Sequence, residues 1–363
     1  MKQFLTSLAV FAFLFGNATI RTVSNSPSTI AQFNTIQAAV NASSSGDSIY
    51  VHGSPNQYAA FTLTDKALTI IGPGWSPNKN LPLTAVVQGC TISGGSSSGT
   101  EIQGLVFVSN SVTIATGGAI NNLRFIRNQF SNISVDFACC SGGTYTGYLF
   151  EGNMFDNGDV RARPEATYQN FLFQNNYFYE NACCRDGNIS GFNNSINVMF
   201  NHNLWFGPSS GARNCFSNST GTNRFLSVNN NIFVRRDAAN QNSSSTFQNN
   251  ITFNAGVNTP WASNGNVDGG GNVANQDPQM VDQTSVNNGV DNALLNFTIA
   301  AGPANNSASD GKDMGLLYDI IGSLNWTTSR NSRLPYIFSM NIVNPTIAAG
   351  GSLTVQVEAR KNN

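Results

Sequence analysis

Phe125-Ile-Arg-Asn128-Gln-Phe130 recurs as Phe150-Glu-Gly-Asn153-Met-Phe155, as Phe173-Gln-Asn-Asn176-Tyr-Phe178 and as Phe200-Asn-His-Asn203-Leu-Trp205-Phe206. Val228-Asn-Asn-Asn231-Ile-Phe233 and Phe247-Gln-Asn-Asn250-Ile continue the series, with intervals of 25, 23, 27, 28 and 19 residues between the asparagines. Ile102-Gln-Gly-Leu105-Val-Phe107 stands one interval earlier, with Leu105 in the asparagine's place. A repeat of this length is one coil of a solenoid that buries its apolar residues only by stacking on its neighbours. Each asparagine then stacks at a fixed corner, because its amide must find partners when buried. Phe125, Phe150, Phe173 and Phe200 are expected in one aromatic column and Phe130, Phe155, Phe178 and Phe206 in the next.

The composition agrees. Only 10% of the 363 residues are charged, whereas 52 are asparagine, 34 glycine and 25 phenylalanine. Coiled coils, helical bundles and charge-rich disordered chains are excluded by those proportions. Asparagine and glycine favour turns over helices, so the chain turns often between short strands. Net charge is −1, and the cations form no run longer than Arg235-Arg236. The basic footprint of a nucleic-acid binder is therefore missing.

Both ends differ from the repeats. Lys2, the apolar run Phe4 to Phe15 and Gly16-Asn17-Ala18 read as a secretory signal over residues 1–18, too short to span a bilayer. The mature chain is expected outside the cytoplasm, with no transmembrane segment. Ala31 to Ala42 places Phe33, Ile36, Ala39 and Val40 on one helical face, a cover for the first coil. Coils are expected from about Ile49 to about Tyr318, within a domain of residues 19–318. In the remaining element, residues 319–363, Pro335 to Asn344 and Ser352 to Glu358 alternate as the arms of a hairpin.

Six cysteines, among them the adjacent pairs Cys139-Cys140 and Cys183-Cys184, suit disulfides in an exported protein, with Cys90 and Cys215 joining in. Zinc ligation wants spaced pairs, and the chain holds only two histidines, His52 and His202. No metal ligands are assigned. The charges of the middle coils follow the marker asparagine at similar offsets. Asp136 lies eight after Asn128, and Asp156, Asp159, Arg161, Arg163 and Glu165 lie 3 to 12 after Asn153. Glu180, Arg185 and Asp186 follow Asn176, Arg213 follows Asn203, and Arg235, Arg236 and Asp237 follow Asn231. Similar offsets point to one lateral flank, where binding loops collect. Asp156, Asp159, Glu165, Asp186, Arg213 and Arg235 are the candidate binding residues there. Solvated ion pairs are the plainer reading of the same residues.

These features resemble the pectate-lyase-like superfamily of right-handed parallel β-helices, in particular secreted bacterial members of unassigned function. The resemblance rests on Phe33-Asn-Thr-Ile36-Gln-Ala-Ala-Val40, Gly46-Asp47-Ser-Ile49-Tyr-Val51, Leu68-Thr-Ile-Ile-Gly72-Pro-Gly74, Asp277-Pro-Gln-Met-Val281-Asp282 and Gly311-Lys-Asp313-Met-Gly315. It implies an all-β fold with an N-terminal capping helix, and polysaccharide or a cell-surface component as partner. If the protein is a lyase on uronate glycans, the chemistry needs arginines to hold carboxylates, an arginine or lysine base and often Ca²⁺ held by carboxylates. Lysine is absent between Lys79 and Lys312. The candidate catalytic residues are then Arg161, Arg163 and Arg185, and Arg161-Ala-Arg163-Pro164 is similar to an Arg-x-Pro element of some pectate lyases. The second half of that family's pattern and the Asp-Asp and Gly-His-Gly signatures of polygalacturonases are not found in the sequence. The first expectation is accordingly a non-catalytic binding protein, and the alternative a lyase or hydrolase of acidic glycans.

Overall fold

The computed structural model describes residues 18–76, 83–115, 120–138, 143–181, 187–329, 336–343, 346–347 and 349–360. It is a parallel β-helix of about 9 turns. Three parallel sheets of twelve, eight and seven strands run along it. The first sheet contains Arg124–Ile126, Leu149–Glu151, Thr167–Gln174 and Asn194–Asn201; the second contains Gln129–Ser131, Met154–Asp156, Tyr177–Tyr179 and Leu204–Phe206. The third contains Cys90–Ser93, Val112–Ile114, Ser134–Phe137 and Asp159–Arg161.

Strands of one sheet repeat at the spacing of a hydrogen-bonded pair, about 4.8 Å, which is also a good stacking distance for aromatic rings. Phe125, Phe150, Phe173 and Phe200 accordingly stack in the first sheet with centroids 5.1, 4.6 and 4.5 Å apart. Phe130, Phe155 and Phe178 stack in the second at 4.9 and 4.7 Å, and Trp205 continues the column at 3.9 Å from Phe178. Trp205, rather than the expected Phe206, takes that place because it stands two residues after its ladder asparagine, like the others, and pairs in register with Phe178. Phe206 is turned to the outer side of the sheet. Each such ring, fully buried, contributes about 2 kcal/mol of hydrophobic stabilisation.

The asparagine ladder forms. Asn176 Nδ2 donates to Phe150 O at 2.9 Å and to Asn203 Oδ1 at 3.0 Å, while Asn176 Oδ1 accepts the Asn153 backbone N–H at 2.9 Å. The same pattern joins Asn128, Asn153, Asn203, Asn231 and Asn250. Asn272 completes the run, with Nδ2 on Phe247 O at 2.8 Å. Its repeat is masked in the sequence, because Asp268 stands where the phenylalanine recurs and an extra residue precedes the asparagine.

Left-handed corners account for the rest of the asparagine and glycine. One column lies just before the ladder and holds Gly104, Arg127, Gly152, Asn175, His202, Asn230, Asn249 and Gly271, with φ between 51° and 69°. A second lies three residues before the first-sheet rings and holds Asn122, Gly147, Asn170, Asn197, Phe225 and Ser244. Asparagine and glycine tolerate this backbone best.

The first strand is Ile20–Val23, one coil earlier than expected. The capping helix spans Ile36–Ala42, shorter than predicted, because Thr35 caps it: its Oγ1 accepts Ala38 N–H at 3.1 Å. Phe33 instead bridges to Val23. The last coil strand is Val267–Asp268, followed by a bridge between Ile251 and Val273. Coils thus stop well before Tyr318, since no apolar strand follows to stack. Residues 277–329 turn back along the flank as a strap. The C-terminal hairpin pairs Tyr336–Ile342 with Val355–Arg360. Met340 opposes Val357 and Ile342 opposes Val355, and all four are exposed.

Candidate functional site

The three sheets present unlike outer faces. On the second sheet the outward residues turn apolar after the polar Gln129, Ser131 and Asp156: Met154, Tyr177, Leu204, Ile232 and Ile251 in one column, Tyr179, Phe206 and Val234 in the other, all buried. The strap buries them with Met280, Val286, Ala293, Phe297, Ile299, Met314, Leu316 and Trp326, forming a second core outside the coils. Trp326 ends the strap against Trp75, with ring centroids 5.5 Å apart.

Corner residues hold the strap. Asn249 Nδ2 donates to Ser307 O at 2.8 Å, Asn230 Oδ1 accepts Ser309 N–H at 2.8 Å, and Asn175 Oδ1 accepts Leu317 N–H at 2.8 Å. Glu151, one coil further, accepts from Ser323 N at 2.8 Å and Ser323 Oγ at 2.6 Å. The doublets Asn175-Asn176, Asn230-Asn231 and Asn249-Asn250 therefore divide the work. The first residue docks the strap outside and the second builds the ladder inside. Buried His202 occupies the same corner with Nε2 3.3 Å from Asp310 Oδ2; burial first of all pushes its pKa down. It is a corner residue of the left-handed column.

The outer face of the third sheet is polar, and it is open except at Ser190 and Ser217, which are buried. Thr62, Thr91, Thr113, Asp136, Arg161, Ser190 and Ser217 stand in one outward column, one per coil. Two ion pairs lie across its middle. Arg161 Nε donates to Asp159 Oδ2 at 2.7 Å. Arg163 Nη2 contacts both Asp136 oxygens at 3.0 and 3.2 Å, and its Nε donates to Phe137 O at 3.1 Å. Buried Tyr168 accepts Arg163 N–H through its hydroxyl at 2.6 Å and fixes the turn that aims this arginine. Among the described residues, Arg161 makes no hydrogen bond through Nη1 or Nη2, and its side chain is 34% exposed.

The sequence-predicted residues are therefore divided rather than gathered. Asp159, Arg161 and Arg163 share the third-sheet flank with Asp136. Glu165 is exposed on the next turn. Asp156 lies on the second sheet, accepting from Ser131 Oγ at 2.9 Å and adjoining Asp291 of the strap. Arg235 clamps the strap, with Nε on Asn287 O at 3.1 Å and Nη1 on Ser209 O at 2.7 Å. Arg213 pairs its backbone with Arg236 in a two-stranded sheet, its Nε buried without a hydrogen bond. Arg236 is wholly buried, donating to Asn188 Oδ1 at 2.6 Å. The expectation of a single flank fails because one coil has three faces, and a window of 3 to 12 residues after the asparagine wraps a corner between two of them. Arg185, Asp186, Cys139, Cys140, Cys183 and Cys184 lie outside the described residues.

Cys90 and Cys215 are free and buried, against the expectation that they join a disulfide. Cys90 points inward between Phe61 and Val112, out of reach of a partner. Burial pushes the Cys215 thiol up to about 12. Among the described residues no group of three or more His, Cys, Asp or Glu is placed to hold a metal ion. No helix among them is long and apolar enough to cross a membrane. Neither a protein-family model nor a curated protein matches the chain.

Proposed function

We propose that the protein is a secreted, pectate-lyase-like β-helix whose third-sheet flank binds polysaccharide without cleaving it. The observation that carries this reading is the Arg161 fork. It stands uncommitted within a column of hydroxyls and balanced ion pairs that repeats at about 4.8 Å per coil. Such a surface offers carboxylates and vicinal hydroxyls of an extended glycan a row of donors. A base for lyase chemistry is not offered by Arg163, whose Nε and Nη2 are spent on Phe137 and Asp136.

Calorimetry of the mature chain with soluble uronate glycans such as polygalacturonate and alginate tests the reading, with absorbance of unsaturated products followed in the same samples. Binding without absorbance is expected, weakened about tenfold in R161A. Absorbance growing with time would replace binding by lyase activity, and absence of binding across the panel would overturn the proposal. Export is tested by the N-terminus of the protein recovered from the medium. It should begin near Thr19; retention of residues 1–18 would overturn the secretory reading.

A further inference from the structure

Phe225 breaks two rules at once. In its corner column the neighbouring coils carry Asn122, Gly147, Asn170, Asn197 and Ser244, whereas Phe225 holds φ 57° with a bulky aromatic side chain. A large residue in that backbone is a genuine outlier and persists only where the surroundings or a function require it. The residue is also 53% exposed, so burial does not repay the strain.

Beside it lies an open groove of about 340 Å³ lined by Thr222, Asn240, Gln241, Asn242, Ser243 and Asn264. Phe225 stands at the rim of this groove, joined to the lining residue Ser243 through its backbone. Its backbone N–H donates to Ser243 O at 3.4 Å, and Arg224 Nε donates to Ser243 Oγ at 3.3 Å. The lining contains amides and hydroxyls only. Asn242 is spent internally, on Ala238 O and Ser245 Oγ. The Gln241 amide makes no hydrogen bond among the described residues, leaving both its donor and its acceptor side open.

We infer that this groove is a saccharide subsite for a neutral pyranose, with the Phe225 ring as platform for the apolar C–H face of the sugar and Gln241 taking a pair of vicinal hydroxyls. An aromatic face and an amide that both gives and accepts are the complementary groups for the two sides of such a ring. The lining groups themselves are uncharged, with the Arg224 guanidinium held at the edge on Ser243 Oγ. The inference rests on the polysaccharide reading but uses a different corner of the coil and a different chemistry from Arg161.

The test is calorimetry of the mature protein with soluble mannan, xyloglucan, dextran and laminarin, beside polygalacturonate, for wild type, F225N, Q241A and R161A. At least one neutral glycan should bind. F225N should weaken it about tenfold and Q241A about fivefold, whereas R161A should weaken polygalacturonate. F225N should also melt no lower than wild type, since asparagine suits the left-handed corner. The subsite falls if F225N binds the neutral glycan as wild type does. It falls alone if polygalacturonate binds through Arg161 and no neutral glycan binds; if no glycan of either kind binds, the polysaccharide reading falls with it.

Discussion

The second and third sheets are built from the same coils, yet one is roofed and the other bare. The second-sheet strands under the strap send apolar side chains outward as well as inward: Tyr177 and Tyr179 flank Phe178, and Leu204 and Phe206 flank Trp205. Third-sheet strands alternate, with Val135 and Val160 inward and Asp136 and Arg161 outward. A face with no polar alternation must be covered, and the strap is what covers it. A face that alternates is already complete and remains open for ligands.

The contrast can be broken most severely from within. N176A deprives Asn153 and Phe150 of buried partners at once, and unfolding in urea should show a loss of about 4 kcal/mol. W326A attacks only the roof. It should cost about 3 kcal/mol and expose residues 277–329 to limited proteolysis while the coils stay resistant; uniform digestion of both would show that roof and coils are one cooperative unit.

Acidity sharpens the contrast more gently. Asp291 of the strap accepts from Tyr177 O–H at 2.7 Å and faces Asp156, with Tyr179 alongside. Burial, then the charge of Asp156, raise its pKa from 3.8 to about 7. The folded state then holds a proton that the unfolded chain has lost, so stability falls as pH rises through that window and is greatest below it. The effect should be about 1 kcal/mol once solvent screening of this surface-lying carboxyl is allowed for, and D291N should abolish this pH dependence while melting higher than wild type at pH 7.5. On the open face T113A should change stability by less than about 0.5 kcal/mol. A loss comparable to that of W326A would mean that the bare face is structural after all. Smallest in energy is the thiol count: Cys90 and Cys215 should resist thiol reagents in the native protein and react on unfolding, and reaction before unfolding would contradict their burial.

Much of the coil was legible because its period is carried by residues of two kinds that cannot be exchanged. Phenylalanine fills the column and asparagine fills the ladder, so each repeat announces itself. Register was legible only to within one residue where two aromatics adjoin, and Trp205 and Phe206 were therefore assigned in the wrong order. Asn272 was hidden by an inserted residue. The flank was legible as a concentration of charge, but sequence distance along a coil does not say on which side of a corner a residue falls. That is why Asp156 and Arg235 went to the strap while Asp159, Arg161 and Arg163 went to the open face. Phe225 carried a signal that could have been read: it stands three residues before Val228, where other repeats carry asparagine or glycine.

By itself the sequence determined that this chain is a solenoid, how long its coils are, and that buried amides hold one corner, because periodic residues report interactions that repeat between neighbours. Only the tertiary structure decided where the coils stop, which face the strap covers and which charges meet. Those outcomes depend on contacts more than a hundred residues apart, such as Leu317 on Asn175 and Ser323 on Glu151. Such contacts occur once and have no period to reveal them.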